Sequence, residues 1–429
     1  MRKIHLGLVG YGTVGSGVVQ LLKKRKDYIK NKFKTEFIVK SICDLAIKKK
    51  DIKGLGNTRL STKIKDIIDD PKIDIVVELI GGMNPAKQLT IQALNRGKHV
   101  VTANKELIAN CGKELFQLAK KKGCYIYFES SVGAGVPIIK SITEGMVGNK
   151  FHGVYGIING TCNFILTQMT KNGYSFSQAL KEAQQRGFAE SNPTLDINGM
   201  DSTHKLAILI YLALGKFINV KDIYTEGITH ISHDDIEYAE NLNLTIKLLA
   251  IAKKANKTVE ARVHPTLISK DHPLASINEI YNAIYLDADP LGKILLSGEG
   301  AGQMAAASGV VSDLINLATS GSNMNLLCNI YSEASHLRVK KIDQIQTKFY
   351  IRFMALDRPG VLSKISGILG KHGISINSVT QKVHKKTSAV PVVMLTDYAT
   401  EKNVRLALQK IHKLSIVRSK PVAIRMEKL

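Results

Sequence analysis

Short apolar runs at residues 4–9, 37–42, 73–80, 99–102 and 125–128 alternate with amphipathic stretches at 14–22, 85–95 and 115–121. Apolar runs of this length, without polar alternation, predict strands covered on both faces. Strands taking turns with helices predict βαβ units and a parallel, doubly wound sheet. The rhythm changes near Pro137. A glycine-rich stretch (Gly145, Gly148, Gly153, Gly156, Gly160) leads into longer helical patterns, and residues 236–255 carry apolar positions at helical spacing in their second half. A third pattern starts near Thr347: strand 349–355, helix 360–372, strands 374–383 and 390–396, helix 400–412, strand 416–424. That βαββαβ order predicts a ferredoxin-like domain. The polar segment 338–346 before it reads as a linker, and the last domain as a separate module.

Composition bounds the function classes. A chain of 429 residues, 44% hydrophobic and 22% charged, has room for two or three domains with their own cores. No apolar run approaches the roughly 18–20 residues that span a bilayer. The opening MRKIHLGLVG is basic, but its apolar stretch runs into glycines without a small-residue cleavage site, so no signal peptide is expected. The expectation is a cytoplasmic protein with no membrane partner. The five cysteines (Cys43, Cys111, Cys124, Cys162, Cys328) form no C-x-x-C pair, which fits reduced thiols and argues against disulfides or a zinc site. The formal charge of +24 raises nucleic acid as a partner. The basic runs (residues 23–26, 48–50, 120–122) are scattered over loops and helix ends without interleaved aromatics, so no nucleic-acid partner is expected.

Chemistry first shows itself at Gly10-Tyr11-Gly12-Thr13-Val14-Gly15, directly after the first strand and opening a helix. The first glycine permits a tight turn, the second lets the backbone approach a pyrophosphate, and the third allows close helix–strand packing. The helix N-terminus then faces the phosphates. In that position the motif predicts a Rossmann-type dinucleotide domain over residues 1–136, with Gly10, Gly12, Thr13, Val14 and Gly15 at the cofactor. Asp44 ends the second strand, where a carboxylate accepts from the ribose 2′-OH and favours NAD. The basic run 48–50 pulls toward NADP, and the choice stays open.

The segment from Gly187 to Lys205 crowds Glu190, Asp196, Asp201 and Lys205 around a proline- and glycine-containing loop that enters an apolar helix. On its own, Asp201 could simply occupy a helix first turn and pair with Lys205 at i,i+4, for a few tenths of a kcal/mol. Five further stretches accompany it: Val101-Thr102-Ala103-Asn104-Lys105, residues 129–137 (ESSVGAGVP), residues 156–166 (GIINGTCNFIL), Arg262-Val263-His264-Pro265 and Gly298-Glu299-Gly300-Ala301-Gly302. Together, in unbroken order from residue 4 to about 320, they resemble the homoserine dehydrogenase family.

The resemblance implies reversible, NAD- or NADP-dependent interconversion of L-homoserine and L-aspartate 4-semialdehyde. It implies Glu190 and Asp201 as substrate holders with Asp196 as an acidic neighbour, which suits a substrate bearing an ammonium group. It implies Lys205 as general acid/base and Lys105 as a second lysine near nicotinamide and substrate; a lysine can exchange a proton near neutrality when burial or a neighbouring cation lowers its pKa. Gly187 and Gly300 match positions close to the cofactor. Glu129, with the carbonyls of Val132, Ala134 and Val136, matches a sodium-binding loop. Cys162 lacks a convincing base and reads as a packing residue. Residues 137–337 would then form an α+β catalytic and dimerisation domain, with the segment near 300–320 returning to the cofactor domain.

Leu356-Asp357-Arg358-Pro359-Gly360-Val361-Leu362, with Gly373-Ile374-Ser375-Ile376-Asn377, resembles the ACT family of amino-acid sensors. Residues 347–429 would form that domain, with Asp357, Gly360 and Asn377 at an effector pocket and threonine as the expected effector. Such modules commonly pair across subunits, so a homodimer or homotetramer is expected. A dimerisation-only role for the module is the plainer alternative. No kinase-sized segment precedes residue 4, so a fused aspartate kinase is not expected. Two other readings remain at this point: a different amino-acid-semialdehyde reductase of similar layout, and a non-catalytic nicotinamide and amino-acid sensor. The second would be expected to show a degraded acid/base set, whereas Lys105, Glu190, Asp201 and Lys205 are all present.

Overall fold

The computed structural model describes residues 1–52, 54–319, 337–381 and 389–429. Cys328 and the end of the strand expected at 374–383 lie outside the described residues. The chain divides into two compact units, one of Met1–Ile158, His204–Lys221 and Tyr281–Leu337, the other of Asn159–Thr203, Asp222–Ile280 and Arg338–Leu429.

The first unit contains a six-stranded parallel sheet in the order Arg59–Ser61, Thr35–Cys43, Arg2–Val9, Ile75–Glu78, His99–Thr102, Ile126–Tyr127. This is the doubly wound order, with the strand reversal beside Arg2–Val9 where dinucleotides bind. Its central strands are buried on both faces, which is why their sequence reads as continuous apolar runs. Helix Thr13–Lys24 packs on the sheet together with helix Gln303–Thr319, whose Ala307, Val310 and Leu314 join Leu6, Leu8 and Val18 in one core. A Cβ at Gly17 would come within 2.7 Å of Gln303 and 3.2 Å of Ala307, so a glycine permits that close helix crossing. An antiparallel group, Lys150–Ile157 with Tyr281–Asp289 and Gly292–Glu299, completes the unit's strands among the described residues.

The second unit is built on the hairpin Leu244–Ala255 and Thr258–Ser269, flanked by helices Gly160–Asn172 and Phe176–Gln185. Here the helical expectation for 236–255 fails. A helix does form over His233–Asn241, but Leu244–Ala255 is a strand. Its middle residues, Ile246 to Ala252, are all buried, so a strand covered on both faces mimics helical spacing.

The C-terminal domain has the ferredoxin-like sheet order Val422–Met426, Gln346–Leu356, Ala389–Thr396, Ile376–Gln381, with helices Val361–Lys371 and Glu401–His412. The last strand is shorter and later than the 416–424 expected; Val417 makes an isolated bridge to Ala355 instead. The polar segment before this domain is not a free linker. Arg338–Val339 pairs in parallel with Thr258–Ser269, and the Lys340 ammonium meets Glu260 at 3.0 Å. Val422–Met426 pairs with the other end of the same hairpin strand, Thr266 opposite Arg425. The sheet therefore runs on from the hairpin into the C-terminal domain, so the module is not a detached one. Among the described residues no helix is long and apolar enough to cross a membrane.

Candidate active site

The glycine loop has the geometry its spacing predicts. Gly10 takes a φ of 101°, and a Cβ there would lie 2.7 Å from the Leu79 carbonyl group. A Cβ at Gly15 would lie 2.2 Å from the Gly10 oxygen, so the helix can rest on the turn only without a side chain. Gly12 has open space at its Cα and caps helix Thr13–Lys24 without a side-chain acceptor, leaving room at the N–H groups of Thr13 and Val14.

Asp44 stands where the second strand ends. One carboxylate oxygen accepts from the Tyr11 N–H and from Lys50 Nζ, both at 2.8 Å, and the other from the Ala46 N–H at 2.8 Å. Burial opposes ionisation, but Lys50 and these amides outweigh it and lower the pKa. Lys50 also donates to the Tyr11 carbonyl at 2.7 Å. The opposing signals of the sequence are thus one ion pair beside the glycine loop.

Lys105 opens helix Lys105–Lys122. The residues fixing that turn were missed in the sequence. Glu78, fully buried at the end of its strand, accepts from Thr102 Oγ1 at 2.6 Å and from the Ile80 N–H at 3.0 Å. Thr102 Oγ1 takes the Asn104 N–H, and the Asn104 side chain caps the helix at the Leu107 N–H. Burial raises the Glu78 pKa despite these bonds. A glutamate ending a wholly apolar strand was the available signal. Lys205, in helix Met200–Leu214, is buried and donates to the Ile158 carbonyl at 2.7 Å.

In the second unit, Asn159 brings two of the predicted acids together. Its Nδ2 donates to Asp196 at 2.8 Å and to Asp201 at 2.9 Å, while its Oδ1 caps helix Gly160–Asn172 at the Cys162 N–H. Thr161 approaches the same Asp196 at 3.4 Å and bonds the Phe188 carbonyl. Asp201 is buried and Asp196 half-buried. Glu190 is exposed, its backbone carbonyl held by Gln184, and Gly187 turns the chain with a φ of 73°. Cys162 is fully buried against the Asp196 carbonyl, as a packing residue would be. Asn159 was legible as a helix cap in the residue 156–166 motif, but nothing local announced its grip on two aspartates.

Gly300 is required for steric reasons: a Cβ there would fall 2.0 Å from the buried Asn282 carboxamide. Glu129 is buried, its two oxygens accepting the N–H groups of Ile139 and Lys140 at 2.8 and 2.9 Å. It lines a cavity of about 450 Å³ together with Ala134, Gly135, Pro137, Lys140 and Ser312. Ala134 bends the loop at a φ of 41°, and the Val136 carbonyl accepts from the Ile138 N–H. In the C-terminal domain Gly360, with a φ of 83°, caps helix Val361–Lys371, and Gln381 bonds Asp357 at 3.3 Å. Asn377 is exposed where the strand pairing shifts register.

A Rossmann-type domain, a loop carrying Glu190, Asp196 and Asp201, and a C-terminal ferredoxin-like domain define the class of nicotinamide-dependent dehydrogenases. Family profiles agree: residues 10–129 match the homoserine dehydrogenase NAD-binding domain, 137–315 homoserine dehydrogenase, and 349–415 the ACT domain. The chain is 39% identical to homoserine dehydrogenase of Synechocystis, with 99% of each chain covered, and 37% identical to that of Neisseria gonorrhoeae over the whole of both. Its fold matches the crystal structure of a homoserine dehydrogenase from Thiobacillus denitrificans with a TM-score of 0.90, at 40% identity, over 100% of this chain and 99% of that one. The chain belongs to the homoserine dehydrogenase family, and it is an NAD(P)-dependent oxidoreductase acting on a CH–OH group.

Proposed function

We propose that this chain interconverts L-homoserine and L-aspartate 4-semialdehyde, serving threonine and methionine biosynthesis in the cytoplasm. The observation that carries the substrate assignment is the Asn159 bridge, which holds the carboxylates of Asp196 and Asp201 at 2.8 and 2.9 Å from one nitrogen. Paired carboxylates suit the ammonium end of an amino acid. Glu190 adds a third carboxylate from an exposed position.

The nicotinamide cofactor supplies the hydride acceptor or donor when bound. The protein's own work is positioning and one proton. In the oxidative direction the hydroxyl proton passes to Lys205 as the C4 hydride leaves, and Lys105 orients the hydroxyl. Gly10, Gly12, Thr13, Val14 and Gly15 receive the pyrophosphate, with Gly187 and Gly300 allowing close backbone approach. The Asp44–Lys50 pair can offer a carboxylate to a ribose 2′-OH or an ammonium to a 2′-phosphate, so both NAD and NADP suit it.

Sodium fits the Glu129 loop. Each Glu129 oxygen accepts a single amide, leaving lone pairs for a hard cation alongside the carbonyls of Val132, Ala134 and Val136. The ACT domain would bind threonine through Asp357, Gly360 and Asn377 and join subunits in a homodimer or homotetramer. Lys205→Ala tests the assignment. Turnover of homoserine should fall by about 10²–10⁴-fold, the usual worth of a general acid/base, while cofactor affinity by fluorescence titration holds. Undiminished turnover would remove Lys205 from the mechanism.

A further inference from the structure

Arg425 lies in the last strand of the C-terminal domain, opposite Phe349 on one side and Thr266 of the catalytic hairpin on the other. It is 4% exposed. A guanidinium so buried persists only when its donors are matched. Glu401 takes it in a fork, at 2.9 Å from Nε and 2.5 Å from Nη2. Nη1 donates to Glu226 at 2.7 Å, and Nη2 to the Tyr224 hydroxyl at 3.0 Å. The hydroxyl donates a hydrogen bond to the same Glu226 oxygen at 2.7 Å, and His230 meets the other oxygen at 3.0 Å. Glu401 and Arg425 belong to the C-terminal domain; Tyr224, Glu226 and His230 belong to the catalytic part.

The held segment has a second face. The Ile228 N–H donates to the Ile197 carbonyl at 3.0 Å, and the hydroxyls of Thr225 and Thr203 meet at 2.7 Å. A Cβ at Gly227 would fall 2.0 Å from the Ile197 oxygen and 2.6 Å from the Asn198 Cα. Gly199, with a φ of 87°, leaves 3.1 Å between a Cβ and the Thr225 methyl. Residues 197–199 lie between Asp196 and Asp201. The loop bearing both acids therefore rests on residues 224–228, and those are clamped at Glu226 by the C-terminal domain.

We propose that Arg425 and Glu226 are positioning residues for the substrate carboxylates, so that the C-terminal domain sets homoserine affinity through residues 224–228. The proposal rests on the reading of Asp196 and Asp201 as substrate holders. Strain at Arg425 moves Glu226, Glu226 moves Gly227, and Gly227 has no slack against Ile197. The path runs within the second unit and the glycine loop belongs to the first, so cofactor affinity is expected to be spared.

The test is steady-state kinetics on the full-length enzyme. Glu226→Gln keeps the shape but weakens the grip of Arg425 and His230. The KM for L-homoserine should rise roughly tenfold, within the usual range of coupling between sites, with the KM for the nicotinamide cofactor changed less than about twofold. Arg425→Lys should behave alike, because an ammonium cannot reproduce the fork. Thr225→Val leaves the buried charges alone and cuts the contact with Thr203, together with the local bond to the Ile223 carbonyl, so it reads the same path if a charge variant fails to fold; a smaller rise in homoserine KM is expected. A lowered melting temperature with both KM values unchanged, or equal rises in both, would make the cluster a structural staple and overturn the proposal. Asp201→Asn separates the two ideas. If it leaves homoserine KM unchanged, the substrate-site reading falls and the proposal with it. If it raises KM while Glu226→Gln and Thr225→Val do not, the positioning role alone is wrong.

Discussion

Asp235 offers the sharpest check on how the C-terminal domain is joined to the rest of its unit. It caps helix His233–Asn241 in a box with Ser232 and is fully buried. Arg352, on the first strand of the C-terminal domain, donates to its two oxygens at 2.7 and 2.9 Å, and the Tyr350 hydroxyl adds a bond at 3.1 Å. Asp235→Ala would leave a buried guanidinium facing no charge, a loss of about 3–5 kcal/mol, and would also cost about 1 kcal/mol of capping. Arg352→Met alone should cost about 3–5 kcal/mol for the converse reason. The double variant removes both charges, so it should be far less harmed than the sum, with a coupling of up to about 3 kcal/mol. Urea unfolding of the four proteins gives that cycle directly. Additive losses, or a single-variant loss under about 1 kcal/mol, would refute the pair as the joint.

The same pair predicts acid sensitivity. Burial raises the Asp235 pKa, but Arg352 and Ser232 more than offset it, leaving the pKa below the ordinary 3.8. A depressed carboxyl contributes its stability in full above 3.8 and loses it as pH falls through the folded value. Below pH 4 the parent should therefore lose stability more steeply than the double variant.

Asp44→Ser should shift the ratio of kcat/KM values from NAD toward NADP, since it removes a ribose acceptor and releases Lys50; an unchanged ratio would show that Asp44 does not read the ribose. Threonine should inhibit the parent, and Gly360→Asp should abolish inhibition while keeping basal activity, because an added carboxylate repels the effector's own. Inhibition curves that coincide would move the effector elsewhere. A point variant is the right tool here, because truncation at Gln346 would also strip Arg352 and Arg425 from their buried partners.

What was legible in the sequence was whatever one segment determines. The glycine loop, the alternating strands and the βαββαβ order depend on local spacing, and each appears in the order its pattern predicts, with the last strand displaced to Val422–Met426. The strand Leu244–Ala255 was misread because burial on both faces erases the period-2 signal. Asn159 and Glu78 escaped for another reason: their worth lies in partners 37 and 24 positions away. Arg262 and His264 stood in a recognised motif without any role. Both prove to be fully or nearly fully buried in the hairpin strand, with the Arg262 guanidinium 2.6 Å from Glu427 of the C-terminal tail.

Arg262, Arg352 and Arg425 share one property that a pattern reader can use. Each is an arginine inside a strand with an apolar residue on either side of it, where a solvated charge has no place. Such a residue demands a carboxylate from another element, and the three demands are met by Glu427, Asp235, and Glu401 with Glu226. Arg262–Glu427, Arg352–Asp235 and Arg425–Glu226 each link the catalytic part of the unit to the C-terminal domain, while Glu401 holds Arg425 from within that domain. Apolar packing would have joined the two with less desolvation cost. Ion pairs instead fix one register of the sheet, because a one-residue slip would turn each arginine to the other face. An ACT domain joined this way can transmit a shift of its strands to residues 224–228 only as a defined displacement, since sliding would break three buried pairs at once.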